Sequence, residues 1–445
     1  MNPSNTRAAA EFVASLPGRR LPADVLDAAK MCLVDWCAVA LGAHHEPAGK
    51  AVKEVVSGWS AGGKAQILLG ASTAPAAAAL VNGTLAHCLD FDDTHVDSVA
   101  HLSAPTWAAV LALGGECSVT EAEMLRAFVA GYEVGARFGG RGFGVTVDHH
   151  GWHSTGIFGC LAAAAGSGAI LGLDPDRIAH ALGIAATQVS GLTGSFGTMS
   201  KPFHAGKAAF NGLLAAQISA AGFAAAIDLL EPDGSLSKTL VQDRSDRIQS
   251  VNFDDGWEVT RNTFKPYACC LLTHAAIDAA RTCASALRGR QVVKVEARVN
   301  PLAVQLAGKT EPQSPLEGKF STAFCIALGL VGLRATERDF CVSNLEDESV
   351  RRVARSVMLV PDERVEKTAA ALRVHCSDGT HFEARTVLAK GNPGNSMTWE
   401  DMREKFFPLV EPVMNNRAAE LFEILKSFEH PGQYSRFAAL MSAPG

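Results

Sequence analysis

Aromatic side chains are scarce in this sequence. Three Tyr, six Trp and 21 Phe make up 7% of 445 residues, and the 48% hydrophobic content rests largely on Ala, Val and Leu, alongside 41 Gly. That poverty favours helices packed closely through small residues over a β-sandwich. Charge is thin as well: 19% of residues are charged, the net charge is −6, and no Lys/Arg-rich run occurs. An electrostatic nucleic-acid binder is thereby excluded. The high apolar content equally excludes a disordered or coiled-coil chain.

A disulfide framework is missing too. The 11 Cys are odd in number, scattered, and set mostly in apolar helical stretches such as those of Cys32, Cys37, Cys117, Cys160 and Cys325. A reducing cytoplasm suits that usage. Met1-Asn2-Pro3-Ser4-Asn5 has no basic region followed by an apolar one, so no secretory leader is expected. Walker A, strand-linked GxGxxG and GxSxG motifs are all absent, which removes three common phosphate, dinucleotide and hydrolase chemistries. Ser154 to Leu173 carries no charge over twenty residues but holds five Gly and lacks a basic flank. It reads as a helix buried on all sides, not as a membrane span.

What is present is helix after helix from Ala8 to about Ala226. Pro22-Ala23-Asp24 opens one through Val25, Ala28, Cys32, Val34 and Trp36. Thr120-Glu121-Ala122-Glu123 is a capping-box start, and Asp174-Pro175-Asp176 stops one helix and caps the next. After about Asn262 the character changes. Gln291 to Asn300 alternates with Val293, Val295, Ala297 and Val299 on one face, and Asp378-Gly379 separates two further alternating runs, a hairpin signal. A helix over Lys319 to Leu333 lies between them. Gly391-Asn392-Pro393-Gly394-Asn395 reads as a loop, after which 398–445 is helical again. The expected fold class is therefore mostly α. A large all-helical domain (residues 1–263 plus 393–445) would carry an inserted, smaller α+β lid domain (264–392).

Chemistry-bearing residues gather in four segments. Ala86-His87-Cys88-Leu89-Asp90-Phe91-Asp92-Asp93-Thr94-His95-Val96-Asp97-Ser98-Val99-Ala100-His101 places four carboxylates and three imidazoles at a helix junction. Such a cluster is either a solvated loop with helix caps or a buried site whose desolvation is compensated by pairing or function. No regular spacing supports a metal centre there. In Asp148-His149-His150-Gly151-Trp152-His153, the two His four apart resemble a zinc pair, but Gly151 weakens a helix. A loop delivering His153 to the start of the buried helix fits better. Gly197-Thr198-Met199-Ser200-Lys201-Pro202-Phe203-His204-Ala205-Gly206-Lys207 places Lys201 before Pro202, which disfavours a helical Lys201 and suits carboxylate binding at a helix mouth. Phe264-Lys265-Pro266-Tyr267-Ala268-Cys269-Cys270-Leu271-Leu272-Thr273-His274 lies at the domain boundary, and its vicinal cysteines are a poor chelating pair. Carboxylates, imidazoles and lysines without a visible cofactor suit proton abstraction beside a carboxylate.

Together, AHCLDFDDTH, GWHSTGIFG, GTMSKPFHAGKAAFNG, KPYACCLLTHAAIDAA, EGKFS and NPGNSMTWEDMREKF resemble the MmgE/PrpD family, in order and over nearly the whole chain. That family includes 2-methylcitrate dehydratases, cis-aconitate decarboxylases and iminodisuccinate epimerases. The resemblance implies an all-helical domain with an α+β lid, a homodimer, and catalysis without metal or organic cofactor on small di- or tricarboxylates. No nucleic-acid or membrane partner is implied. The resemblance assigns proton transfer to His101 and His153, with Asp90 orienting an imidazole. Lys201 and Lys265 would anchor carboxylates, Thr94 would add a hydrogen bond, and Cys270 and His274 would line the substrate site. Cys270 stands where the decarboxylases carry a histidine, and Phe324 where they carry a tyrosine. These departures count against decarboxylation of cis-aconitate. A cysteine at the Cys270 position is found in the epimerase type, to which the chain is closer around this motif than to the methylcitrate dehydratases. A hydro-lyase of the methylcitrate dehydratase kind is, as the simplest lyase, the leading expectation. A two-base epimerase is the runner-up, and a non-catalytic carboxylate-binding dimer is the alternative of another class.

Overall fold

The structure, a computed structural model, describes residues 4–59, 62–242 and 247–442. It is mostly helical and divides into two compact units, residues 1–263 with 399–445, and 264–398. The first unit is built on helices α1 (Ala23–Gly42), α2 (Pro75–His87), α3 (Ser103–Cys117), α4 (Glu121–Gly139), α5 (Ser154–Ile170), α6 (Pro175–Ala186) and α7 (Ser200–Ala220), with shorter helices between them. A two-residue-per-strand antiparallel hairpin, Ala65–Gln66 against Ser72–Thr73, interrupts the helical series. Their starts follow local chemistry. Thr120 and Glu123 exchange the reciprocal bonds of a capping box at α4, and the Asp174 carboxylate caps α6 by accepting from the Arg177 N–H.

Helix α5 is the centre of this unit. Every residue from Ser154 to Gly168 is buried, so the uncharged stretch is a core helix. Among the described residues no helix is long and apolar enough to cross a membrane. Its neighbours α4 and α7 approach through glycines. A Cβ on Gly212 of α7 would lie 2.6 Å from the Ala163 Cβ and 2.7 Å from the Ala164 nitrogen, and it would also strike the Cys160 carbonyl. Gly131 on α4 meets the Ala162 carbonyl in the same way. Small residues thus set the helix spacing, which explains the alanine- and glycine-rich composition.

The second unit opens with α8 (His274–Leu287) and strand β1 (Val292–Val299), continues through α9 (Thr322–Leu330) and β2 (Val357–Pro361), and closes with β3 (Ala370–Cys376) and β4 (His381–Thr386). The strands form one sheet in the order β2-β1-β3-β4, with β1 and β2 parallel and the other pairs antiparallel. Gly379, at φ +82°, makes the β3–β4 turn that Asp-Gly signals. Helix α9 is shorter than the Lys319–Leu333 span expected, because the Ser321 side chain caps it by accepting from the Phe324 N–H. Strand β2 was not legible at all.

The chain returns to the first unit with α10 (Trp399–Met414), six residues later than the expected boundary at 393. The Gly391–Asn395 loop stays with the second unit because it is tied there. Gly391 accepts from Phe264, and the Asn395 side chain donates to the Leu388 carbonyl at 3.0 Å.

A testable consequence concerns α5 and α7. Gly212→Ala gains about 1 kcal/mol of helix propensity, but overpacking against a backbone that cannot yield costs about 1–3 kcal/mol or more. A net loss of about 1–2 kcal/mol is expected from these principles in urea denaturation. An unchanged or raised midpoint would show that the helices are not held this close.

Candidate active site

The loop between α2 and α3 carries the acidic and imidazole residues, and it is buried, not solvated. Asp90, Asp92, Asp93, Thr94, His95 and His101 are all buried, as is His87 at the end of α2. Asp90 adopts φ +52°, a left-handed conformation that Asp tolerates better than most side chains.

Beneath this loop lies a second polar layer. Asp93 Oδ2 accepts from Ser103 Oγ and from Asn262 Nδ2, each at 2.5 Å, and the Asp93 N–H donates to Asp35 Oδ2 at 3.0 Å. Asp35, on α1, pairs with Lys405 of α10 at 2.5 Å, and the same ammonium donates to the Phe91 carbonyl at 2.6 Å. Burial, then the nearby Asp35 charge, pushes Asp93 up to about 7. The Lys405 ammonium therefore pairs with the buried Asp35 carboxylate and pins the loop from below through the Phe91 carbonyl.

Above it stands a group of imidazoles. Asp92 Oδ2 lies 2.8 Å from His87 Nδ1 and 3.1 Å from His101 Nδ1. Burial alone would raise Asp92, but His101 and then His87 outweigh it and hold the carboxyl well below the usual range. An ionised carboxylate makes both Nδ1 atoms donors, and burial, which lowers the His87 pKa, leaves the His87 Nε2 with its lone pair. The His101 backbone N–H donates to Thr155 Oγ1 at 3.1 Å, and Thr94 Oγ1 is 3.4 Å from His101 Nδ1. The carboxylate hydrogen-bonded to His101 Nδ1 is thus Asp92. Asp90 instead pairs with Lys201, and its Oδ1 stays 4.0 Å from His101 Nε2, beyond hydrogen-bond length.

His153 is the N-cap residue of α5, as the loop reading anticipated. Its ring stacks on His87 (centroids 5.6 Å, 17° between planes) and meets Phe196 edge-on at 4.9 Å. Burial, with the neighbouring His87, Lys201, His204 and His101, drives its pKa well below the usual imidazole value. Lys201 Nζ also lies 5.3 Å from the Phe196 ring centre. Contrary to the expectation that Pro202 keeps it extended, Lys201 sits in the first turn of α7, where a following proline sacrifices no intrahelical bond.

Asp90, Thr94, His101, His153 and Lys201 thus meet in the first unit, joined by three residues not singled out beforehand: His87, Asp92 and His204. His149 and His150 are not part of the group; His150 Nδ1 bonds the Thr146 carbonyl at 2.9 Å. Lys265, Cys270 and His274 belong to the second unit. Lys265 is buried, the Cys270 N–H donates to the Lys319 carbonyl at 2.9 Å, and His274 Nε2 faces the Cys269 carbonyl at 3.2 Å. Phe324 is buried against Phe340, with ring centres 6.1 Å apart.

His87, Asp92 and His101 place atoms able to bind a metal within 4.8 Å of one another. The Nδ1 atoms of His87 and His101 are already hydrogen-bonded to Asp92 Oδ2, and the adjacent Lys201 ammonium opposes a further cation. The donor set therefore fits a hydrogen-bonded imidazole–carboxylate array better than a metal centre.

The geometry predicts an acid-sensitive stability. His87 titrates near 4 when folded, chiefly because of burial, against 6.5 when unfolded. Between these values the unfolded chain binds more protons, so stability is full above pH 6.5 and falls as pH drops to 4, by about 3 kcal/mol for this group. His87→Gln should flatten that limb in urea melts across pH 4–7. An unaltered slope would contradict the assignment.

Known proteins share this arrangement of sequence. The chain is 28% identical over 435 residues to cis-aconitate decarboxylase of Aspergillus terreus, covering 91% of this chain and 86% of that one. It is 26% identical to the cis-aconitate decarboxylase-like protein oryM of Aspergillus oryzae, over 97% and 96% of the two chains. The mouse cis-aconitate decarboxylase matches at 24% over 83% and 79%. Residues 7–249 match the profile of the MmgE/PrpD N-terminal domain and residues 267–429 that of the C-terminal domain. The chain belongs to the MmgE/PrpD family.

Proposed function

We propose that the protein is a lyase acting on a small di- or tricarboxylate, without a metal or organic cofactor, by imidazole-mediated proton transfer at a carbon beside a carboxylate. One observation carries this reading: in a buried cluster His101 Nε2 lies 4.0 Å from Asp90, which pairs with Lys201, and the His153 ring stacks on His87 beside them. Burial strengthens the electrostatic pull of Lys201 on a substrate carboxylate and excludes competing water. Its ammonium has three donors, so a substrate carboxylate can join Asp90 as a second acceptor. With its Nδ1–H on the Asp92 carboxylate, His101 gains charge at Nε2 at little cost, because the carboxylate that stabilises the imidazolium is already in place. His153, kept neutral by its surroundings, is a base or an acid according to its tautomer.

The relatives named above are lyases by name, which supports the reaction class. Within it we favour water elimination or addition over decarboxylation. Cys270 and Phe324 occupy positions where the decarboxylases bring an imidazole and a phenol; Phe324 has no proton to transfer, and a thiol titrates higher than the imidazole it replaces. By the family resemblance, Lys265 would be a second carboxylate anchor, and Cys270 and His274 further substrate-binding residues. The active species would be a homodimer.

The reading is tested by proton NMR in D2O with citrate, 2-methylcitrate, cis-aconitate and iminodisuccinate. Appearance of a vinylic signal, or its loss with formation of a hydroxy acid, is the expected result. Deuterium uptake with inversion and no alkene would establish an epimerase instead, and carbon dioxide release would establish a decarboxylase. On the acid that turns over, His101→Ala and His153→Ala should each lower kcat by about 10²–10⁴-fold with the fold retained. Undiminished turnover in both would remove the imidazoles from the chemistry.

A further inference from the structure

A buried base faces a problem that its pKa does not solve: each proton it takes must leave before the next cycle. His153 is almost wholly enclosed, whereas His204, one turn beyond Lys201 on α7, is half-buried. The two Nδ1 atoms are 3.0 Å apart. At that separation one nitrogen donates and the other accepts, so the two rings share one proton and their tautomers are locked together.

The contact is built, not incidental. Gly191, at φ +120°, lies against the His204 ring and the His153 side chain, and a Cβ there would lie 3.0 Å from His204 Cγ and 3.3 Å from His153 Cβ. Only glycine supplies both that conformation and that clearance. The Gly191 carbonyl also accepts from the His153 N–H at 3.0 Å, which ties the loop to the residue it lies against. Burial lowers the pKa of both imidazoles, so at neutral pH the pair is uncharged and its single shared proton is free to sit on either side.

We propose that His204 is the proton-exchange partner of His153, a positioning residue that connects the buried base to water. The inference rests on the reading of His153 as a proton-transferring group. In the base-competent state the shared proton is on His153 Nδ1, His153 Nε2 carries a lone pair, and His204 holds its other proton on Nε2. When a substrate C–H bond breaks, its electron pair stays with the substrate and the proton goes to His153 Nε2. The Nδ1 proton of His153 passes to His204 Nδ1, and the Nε2 proton of His204 passes to water. One proton enters, one leaves, and the buried ring ends neutral in its opposite, acid-competent tautomer. The same path in reverse delivers a proton to carbon. Substrate contacts with Lys201 and Asp90 take no part in this exchange.

The test uses the full-length protein with cis-aconitate, citrate and 2-methylcitrate, comparing wild type with His204→Asn and His204→Ala. Asn places an amide near the Nδ1 position and keeps a hydrogen bond to His153, but it cannot pass a proton onward. Both variants should lose about tenfold to a hundredfold in kcat, in keeping with a lost proton-transfer path, while KM stays within about twofold. Added imidazole should restore much of the His204→Ala rate, which a purely structural defect would not allow. In ¹⁵N-histidine-labelled wild type, coupling across the Nδ1–H···Nδ1 bond should be detectable and should vanish in both variants. Wild-type kcat in both variants without imidazole overturns the relay while leaving His153 as the base. Absence of turnover by the wild type on every acid, together with absence of the Nδ1 coupling, overturns the relay and the reading it rests on.

Discussion

The site depends on one carboxylate, Asp92, placed between two imidazoles in the interior of a helical unit. An isolated charge there would be costly, and burial does push its pKa up; the two Nδ1–H donors reverse that shift. Because the carboxylate stays ionised, it dictates the tautomers of His87 and His101 and turns His101 Nε2 toward the Asp90–Lys201 pair. Charge in this interior is thus concentrated in linked pairs: Asp92 with His101 and His87, Asp90 with Lys201, and Asp35 with Lys405. Removing one member of such a pair strands its partner, which costs far more than the pair itself contributes.

The surrounding helices make that concentration possible. Glycines on α4 and α7 let their backbones approach α5 so closely that no room for a Cβ remains, while polar residues gather at the helix ends. The α2–α3 loop, the N-cap of α5 and the first turn of α7 converge on the same region. Each contributes one kind of group: carboxylates and His101 from the loop, His153 from the cap, Lys201 and His204 from the turn. Helix termini suit this work because their unsatisfied backbone groups already demand polar company.

Much of this was legible in the sequence, for reasons that differ by element. Apolar spacing and caps revealed the helices, and Thr120 and Asp174 act as read. The Asp-Gly turn revealed β3 and β4. Strand β2 stayed hidden because Val357–Pro361 is half-buried without alternation and pairs parallel to β1, so neither a period nor a hairpin turn marks it. Asp90, Thr94, His101, His153 and Lys201 were recognisable as motif residues, and the structure brings them together. His87 was not, because it closes an otherwise apolar helix, where a histidine reads as core. Asp92 lay among four carboxylates that no local rule ranks. His204 was hidden by the inference that Pro202 kept Lys201 extended. Once Lys201 is helical, a residue three positions on shares its face. The preference acting on a residue before proline yielded here to the freedom of a helix's first turn.

The central claim is that a carboxylate substrate is held by Lys201 with its reacting carbon against the imidazoles. It is tested most directly by a crystal structure of the wild-type protein with tricarballylate, a saturated tricarboxylate that has neither a hydroxyl to lose nor a double bond to hydrate. The account predicts one carboxylate on Lys201 Nζ and a ligand carbon within about 3.5 Å of the Nε2 atom of His101 or His153. A ligand seated away from Lys201, with both imidazoles untouched, would contradict it.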